Sequence, residues 1–482
     1  MNRRMIVNTV GKMIIIEGFA LFLPMIVSLI YKNQSFLSFI VSALIAFVVG
    51  GFFVLISKNP KKTIYAKEGF LIVALSWIFA SLIGCLPFII SREIPNFFDA
   101  FFETVSGLTT TGASIINFNN VTLSEGILFW RSFTHYIGGI GVLVFVVALI
   151  PDVSGRTIYI LRAEMPGPTF GKLSPKLKDT VKILLFIYFG LTIVEIILLL
   201  LGDMSLFNSV VYSMGTAGTG GFGVNAAGIG GETPYSQWVI TVFMFLFAIN
   251  FNLYYLIIAK RISAAFKNNE LWLYVAIVLV STAVMTFNLF TYNNYNFADS
   301  LRHSAFQSAS LISTTGYTTA NFVEWPDLSK AIIFILMFLG GCAGSTCGGL
   351  KTSRLLIMLK SIKAELHKML HPRSVVSVKI DGKPVEENVI RSVNIYFAVY
   401  SIIIALVFLI ISFEPFGVET NLTAAISCFN NVGPGLGAIG PNGSYADYSA
   451  FSKVVLSFAM LFGRLEIFPL LLACNPKTWI KK

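Results

Sequence analysis

One pattern occurs four times along the chain, in FDAFFETVSGLTTTGAS (98–114), FNSVVYSMGTAGTGGFG (207–223), RHSAFQSASLISTTGYT (302–318) and ETNLTAAISCFNNVGPG (419–435). Each copy is a short amphipathic segment followed by a polar run of three residues and a glycine. The ungapped alignment superimposes Gly112, Gly221, Gly316 and Gly433. Each copy lies between two long apolar runs, so the recurrence indicates one structural unit used four times.

The amphipathic segments are too short to cross a membrane. About 11 helical residues extend roughly 16 Å, which is half of the hydrocarbon core. A half-helix followed by irregular backbone is tolerated at that depth only where it is buried in protein or lines a wet cavity. Four such units around one axis would build that cavity, and their backbone carbonyls could replace the hydration shell of an ion. Glycine permits the left-handed backbone that this requires, and the C-terminal ends of the half-helices favour a cation.

The rest of the chain is apolar enough to surround such a pore with membrane-spanning helices. Of its 482 residues 55% are hydrophobic and only 12% are charged, about half the charge of a soluble domain, which excludes a soluble enzyme and a disordered chain. Ten segments are predicted to span the membrane, at about 13–31, 36–57, 68–90, 127–150, 181–201, 236–259, 271–291, 329–350, 393–413 and 450–474.

These segments predict an all-α polytopic membrane protein. Its four pseudo-repeats of span, pore helix, filter loop and span surround one central pore, and two extra spans precede them. The predicted units are 1–60 (the two N-terminal spans), 61–155 (repeat 1), 156–265 (repeat 2), 266–362 (repeat 3, with an intramembrane gating loop) and 363–482 (a cytoplasmic loop and repeat 4).

The distribution of charge predicts the orientation. With the N-terminus in the cytoplasm, most of the 35 basic residues fall on the inner side, as the positive-inside rule requires. The net charge of +11 is therefore a topology signal, and no nucleic-acid partner is expected. The outer stretches are acidic, which would concentrate cations at the mouth of the pore, although acidic loops are also common without such a role.

The motifs TTTGAS (109–114), TGGFG (219–223), STTGYT (313–318), CFNNVGPG (428–435), GGCAGSTCGGLK (340–351), LHPR (370–373) and GRLEIF (463–468) carry a resemblance. Over essentially its whole length the chain resembles the Trk/Ktr/HKT superfamily of potassium transporters, and within it the TrkH-type potassium uptake subunits. The resemblance implies a four-repeat pore in one chain, homodimers in the cell membrane, and gating by a cytoplasmic nucleotide-binding regulatory subunit.

The resemblance also implies which residues bind the transported ion. In this superfamily a serine at the first filter glycine accompanies sodium transport, and here that position is Gly112, which favours potassium. The predicted potassium-binding filter residues are the aligned glycines and the two residues before each: Thr110, Thr111, Gly112, Thr219, Gly220, Gly221, Thr314, Thr315, Gly316, Asn431, Val432 and Gly433.

A run of small residues interrupts the eighth predicted span. GGCAGSTCGG (340–349) has no large apolar side chain, and glycine costs about 1 kcal/mol per helical residue relative to alanine. The run could pack helices closely, but its two Gly-Gly pairs favour a broken helix whose loop gates the pore beneath the filter. The predicted gate residues are Gly340, Gly341, Ala343, Gly344, Ser345, Thr346, Gly348, Gly349, Lys351 and Arg464.

Arg464 lies near the centre of the last predicted span. A mid-membrane arginine faces a cavity or a partner, so a pore-facing cation is expected, with a structural pair to Glu466 as the alternative. Glu17 and Glu195 are also intramembrane. Glu195 is a hint of the alternative function, a sodium- or proton-coupled potassium symporter.

The cytoplasmic loops suggest a partner. VVSVKIDGKPV (375–385) alternates apolar and polar residues around Asp381-Gly382, which predicts a hairpin that docks to a partner or belongs to a solvated linker. The basic loop 151–181 could bind a partner or anionic lipid. The five cysteines have no disulfide spacing, and no nucleophile–base set is visible, so neither a catalytic residue, an enzyme activity nor a covalent cofactor is expected; potassium is the substrate.

Overall fold

The computed structural model describes residues 2–58, 66–118, 121–141, 177–225, 228–292, 295–374 and 376–479. Residues 142–150 of the predicted span 127–150 and most of the predicted loop 151–181 lie outside the described residues.

The described chain is built almost entirely of helices. They are α1 Arg3–Ala20, α2 Phe22–Ile30, α3 Phe36–Ile56, α4 Ala66–Gly84, α5 Leu86–Ile90, α6 Phe97–Leu108, α7 Glu125–Ile140, α8 Leu177–Leu200, α9 Leu206–Gly218, α10 Pro234–Phe247, α11 Phe251–Ile258, α12 Ile262–Phe266, α13 Asn269–Tyr292, α14 Phe297–Ile312, α15 Asp327–Leu336, α16 Thr352–Leu370, α17 Glu387–Ile411, α18 Gly417–Asn430, α19 Ala450–Arg464, α20 Phe468–Cys474 and α21 Pro476–Trp479. The strands are β1 Leu339–Gly340, parallel to β2 Leu350–Lys351, and β3 Lys379–Ile380, antiparallel to β4 Lys383–Pro384.

The helices long and apolar enough to cross a membrane match most of the predicted spans. In the described residues six helical segments meet that criterion, and α10 with α11 would add a seventh although the two are bent by 90°. The span predicted at 127–150 is described only to residue 141, and those predicted at 329–350 and 450–474 are helical over only part of their length. The middle one ends at Leu336, before the small-residue run, and the last one breaks after Arg464.

The two N-terminal spans form a hairpin outside the repeats. α1 packs along α3 and α4. The α1–α3 contact is close because glycines face it from both sides: a Cβ added to Gly50 would lie 2.7 Å from the carbonyl oxygen of Gly11. Small residues at such crossings let membrane helices pack backbone to backbone.

The four pore helices, α6, α9, α14 and α18, form the centre of the molecule. Each packs against spans of its own repeat, and α6, α9 and α14 also pack against a span of a neighbouring repeat: α19, α7 and α10 respectively. These contacts join repeat 4 to 1, 1 to 2 and 2 to 3. A contact between the loops that follow α14 and α18 joins repeat 3 to repeat 4, since a Cβ added to Gly316 would collide with the carbonyl oxygen of Val432. The four repeats therefore form a ring, as the fourfold pattern predicts. The five cysteines are free, and four of them are buried.

Candidate functional site

Polar N-cap residues mark the start of three of the four pore helices. Asn96 accepts a hydrogen bond from the backbone N of Phe98 (2.8 Å), and Asn296 accepts one from Asp299 (2.7 Å). Ser205 caps the second pore helix in the same way, through the N–H of Asn208 (3.2 Å). Polar N-caps satisfy backbone donors that the first helical turn leaves free. Each cap therefore fixes where a half-helix starts and hence how deep its C-terminal end reaches.

All four pore helices end in the same backbone motif. The residue two positions before each aligned glycine is left-handed, with φ of 54–56°. The next residue donates its N–H to a carbonyl five residues back, over 2.8–2.9 Å. The left-handed residues are Thr110, Thr219, Thr314 and Asn431, and the N–H···O pairs are Thr111–Ser106, Gly220–Gly215, Thr315–Ser310 and Val432–Ser427.

This is a Schellman-type helix end, in which the left-handed residue is usually glycine. A β-branched residue such as threonine is strained in that conformation, and strain of this kind persists where the surrounding structure over-determines it. Three of the four repeats nevertheless use threonine. In these three repeats the strained threonine therefore lies at the junction between the pore helix and the predicted filter loop.

The aligned glycines share one conformation and close a ring. Their φ values are 77–99°. A Cβ added to Gly112 would collide with the carbonyl oxygen of Gly220, and one added to Gly221 with that of Thr315. The same contact joins Gly316 to Val432 and Gly433 to Thr111, so the series returns to the first loop. At each step the space of the missing side chain is occupied by the carbonyl that precedes the glycine of the next loop.

Hydrogen bonds between side chains of the loop residues support this ring. The hydroxyls of Thr109 and Thr111 lie 2.7 Å apart, as do those of Ser313 and Thr315 at the equivalent positions of repeat 3. Asn431 donates to the hydroxyl of Thr111 at 2.9 Å and so joins the fourth loop to the first.

The ring separates two cavities. The outer one has a volume of about 240 Å³ and is lined by all four aligned glycines together with polar residues that follow them. No carboxylate is among the described residues that line it, so the acidic excess of the outer stretches lies elsewhere on that face. The inner cavity, of about 100 Å³, is lined by the small-residue loop, Lys351, Arg464 and apolar side chains such as Trp77 and Leu184.

The small-residue run forms an irregular loop between β1 and β2. Its backbone is tied to the bend between α10 and α11, since Cys342 donates its N–H to the carbonyl of Ala248 (2.9 Å) and Phe251 donates to that of Gly344 (3.1 Å). The N–H of Gly348 donates to the hydroxyl of Thr314 at 2.8 Å. The loop therefore touches the predicted filter directly from the inner cavity.

Two cations hold the same loop. Arg464 donates to the carbonyl of Thr346 at 2.7 Å and, on the opposite side, to those of Gly138 (2.5 Å) and Gly139 (3.2 Å) at the end of α7. Lys351 donates to the carbonyl of Cys347. The alternative pair of Arg464 with Glu466 is not formed, because the carboxylate of Glu466 binds Arg354 at 2.6 Å.

The sequence did not single out the residue that joins the loop to the β3–β4 hairpin. Glu270, in the first turn of α13, accepts a hydrogen bond from the N–H of Ala343 at 2.6 Å. The residue before it, Asn269, donates its N–H to Asp381 at 2.8 Å, and Asn268 donates its amide to the same carboxylate at 3.1 Å. Asp381 is at the turn of the β3–β4 hairpin, which forms where 375–385 predicts it.

A second missed group is a buried ion pair, Glu103 with Arg131, beside the first and second loops. A charged residue in each of two apolar segments was the signal that could have indicated it. Glu17 and Glu195 are both buried, and neither lines either cavity. Among the described residues no cluster of histidine, cysteine and acidic side chains could hold a metal ion.

Comparison with known proteins gives consistent relatives over the whole chain. The family model TrkH, described as a cation transport protein, matches residues 32–479. The Trk system potassium uptake protein TrkG of Escherichia coli K12 is 33% identical over 99% of this chain and 98% of its own length. The Trk system potassium uptake protein TrkH of Salmonella typhimurium is also 33% identical, over 99% of this chain and all of its own.

A solved structure has the same fold. The crystal structure of the potassium transporter TrkH from Vibrio parahaemolyticus superimposes on this chain with a TM-score of 0.88 at 30% identity, and each chain is covered completely.

Proposed function

Because the chain belongs to the TrkH family of cation transport proteins, we propose that it carries potassium across a cell membrane through the ring of four filter loops. The cyclic contact of the four left-handed glycines is the observation that carries this proposal. It packs four carbonyl-bearing loops around one axis, which is the arrangement by which a filter replaces the hydration shell of an ion. The C-terminal ends of four pore helices add partial negative charge there, which favours a cation.

Uptake of radioactive rubidium, a potassium substitute, into proteoliposomes tests this function. We expect uptake that potassium competes away and that sodium competes away poorly. The coupled symporter predicts in addition that an inward sodium or proton gradient drives rubidium above its equilibrium level, whereas a passive pore predicts equilibration alone. Absence of rubidium uptake by folded, correctly inserted protein would contradict the proposal.

The small-residue loop is proposed as the gate. It is buried beneath the filter, it contacts Thr314, and it is held by Arg464 and Lys351 in the inner cavity. Each of these bonds can be broken without unfolding a helix, because the loop itself is irregular. A loop of this kind can move aside while the ring stays fixed, which is how a gate and a filter remain separate functions.

Regulation by a cytoplasmic nucleotide-binding subunit is proposed to act through the β3–β4 hairpin. The hairpin carboxylate of Asp381 accepts a hydrogen bond from Asn269 at the start of α13, and the next residue of that helix, Glu270, binds the gate loop. Displacement of the hairpin by a partner would therefore be transmitted to Ala343 over a short chain of hydrogen bonds. The proposed homodimer and the cytoplasmic position of both termini rest on the family and on the distribution of basic residues, and membrane lipid surrounds the apolar spans.

Asp381→Ala tests this route without requiring the partner. A carboxylate at a helix N-terminus contributes about 0.3–1 kcal/mol, so its loss should make amide exchange at 341–349 roughly two- to fivefold faster. Hydrogen exchange of protein in lipid nanodiscs measures this, with rubidium uptake as the functional readout. Lys383→Ala, at an exposed position on the same hairpin, is the matched control. Equal exchange rates at 341–349 in both variants and the unmodified chain would show that the hairpin is not coupled to the gate loop.

A further inference from the structure

An ion pair is buried beside the first two filter loops, although neither member belongs to the ring. Glu103 is in the first pore helix and Arg131 is in the helix that follows it. Glu103 Oε1 lies 2.7 Å from Arg131 Nη2 and accepts a hydrogen bond from Arg131 Nε at 2.9 Å. The two side chains are 0% and 1% exposed.

The pair binds the residues at which both filter loops end, two positions after the aligned glycines; these are called the loop exits. Arg131 Nη1 donates to the carbonyl of Gly223 at 3.0 Å, and Nη2 donates to the hydroxyl of Ser114 at 3.1 Å. Gly223 and Ser114 occupy the same position in their repeats, two residues after the aligned glycines. Glu103 completes the set, because it accepts from the Ser114 hydroxyl (2.9 Å) and from the N–H of Ile115 (3.0 Å). One guanidinium thus spans the junction between loops 1 and 2.

Aromatic side chains fix the plane of this guanidinium. Its central carbon lies 4.1 Å from the ring centroid of Phe222, and the Phe222 ring packs in a tilted orientation against that of His135, with the centroids 4.1 Å apart. Phe222, which lies between Gly221 and Gly223 in the second loop, is therefore held on one side by a cation–π contact. Because a planar fork with five donors makes these contacts together, lysine cannot reproduce them.

We propose that Glu103 and Arg131 are positioning residues that fix the distance between the first two filter loops and so set how well the ring discriminates potassium from sodium. The ring carbonyls of loops 1 and 2 meet at the contact of Gly112 with Gly220, and the pair spans the same junction a few residues further out. Selection between two ions of equal charge depends on the placement of the carbonyls, so a change of spacing alters the discrimination.

The other repeats have no equivalent of this pair. The positions equivalent to Glu103, nine residues before the aligned glycines, are Tyr212, Gln307 and Ala424. Only repeat 1 therefore has a charged residue at this position. Burial of an ion pair is costly and gives weak net stability even when it is well hydrogen-bonded, so a positional role explains its presence better than stabilisation does.

Arg131→Lys and Glu103→Gln test the proposal, which rests on the proposed transport function. Arg131→Lys keeps the charge but loses the fork, so we expect the rubidium-to-sodium uptake ratio, per folded molecule, to fall about tenfold, as loss of about 1.4 kcal/mol of differential stabilisation would produce. Glu103→Gln should lower the same ratio. Asp299→Asn is the matched control, since Asp299 pairs with Arg302 at 2.6 Å near the start of the third pore helix, 17 residues before Gly316.

A second readout keeps this test independent of transport. If the filter binds potassium, the unfolding temperature of the protein should be higher in potassium than in sodium, because a bound ion stabilises the folded state. We expect that difference to shrink in both variants and to persist in Asp299→Asn. A lower unfolding temperature with an unchanged uptake ratio and an unchanged potassium-dependent shift would show a purely structural pair and overturn the proposal. Failure of unmodified protein to take up rubidium would instead contradict the transport function.

Discussion

Arg464→Ala is expected to raise the rate of potassium movement by several-fold to tens-fold. The guanidinium is always protonated, and it lines the inner cavity, which lies on the proposed path of the ion. At an effective dielectric constant of about 20, a unit charge about 7 Å from a permeating cation costs about 2.4 kcal/mol. That cost corresponds to a rate lower by roughly 50-fold, which water in the cavity would reduce. The alanine variant also loses the hydrogen bonds that hold the loop at Thr346 against Gly138 and Gly139.

Two further variants separate the electrostatic barrier from the mechanical one. Arg464→Lys keeps the charge and should change the rate least. Deletion of 343–348 removes the obstruction while Arg464 remains, and should raise basal uptake and weaken any response to a cytoplasmic regulator. Rubidium uptake per folded molecule measures all three. If the uptake rates of the alanine and lysine variants both match that of the unmodified protein, Arg464 does not act on the pathway. Reduced uptake by a folded alanine variant would instead assign Arg464 a structural role.

The sequence predicts the ring because its signal is periodic. Four copies in one register identify Gly112 and its three counterparts. The backbone of each copy is determined locally by a Schellman-type end and a glycine, and in three of the four copies also by a polar cap. The broken eighth helix is predictable for the same reason: ten small residues in a row are a poor lipid-facing helix. Local chemistry of this kind can be read from the order of residues alone.

Long-range partners could not be predicted in this way. Arg464 binds backbone carbonyls at Gly138 and Gly139, more than 300 residues earlier, and a carbonyl has no sequence signature. A plausible side-chain partner, Glu466, was nearby in sequence but pairs with Arg354 instead. Likewise, Glu103 and Arg131 are 28 positions apart and become a pair only because the helices of repeat 1 pack together. Only tertiary packing determines such contacts.

Gly112→Ser is expected to weaken the preference for potassium over sodium about tenfold or more, a loss of about 1.4 kcal/mol or more in discrimination. A non-glycine residue at φ of 77° is strained by about 1–2 kcal/mol. Its Cβ would also collide with the carbonyl oxygen of Gly220, which is backbone and cannot swing aside as a side chain can. The two loops must separate to admit it, so the ring widens at this junction, and the serine hydroxyl is added beside the carbonyls.

Gly112→Ala and Gly51→Ser distinguish these causes. The alanine variant introduces the Cβ without the hydroxyl, so an equal loss of potassium preference would assign the effect to loop separation, and a smaller loss would assign part of it to the hydroxyl as a ligand. Gly51→Ser places the same side chain in a spanning helix where an added Cβ has no neighbour within 4 Å, and it should leave the ratio unchanged. An unchanged potassium-to-sodium uptake ratio in folded Gly112→Ser would mean that the carbonyls of this junction do not select the ion.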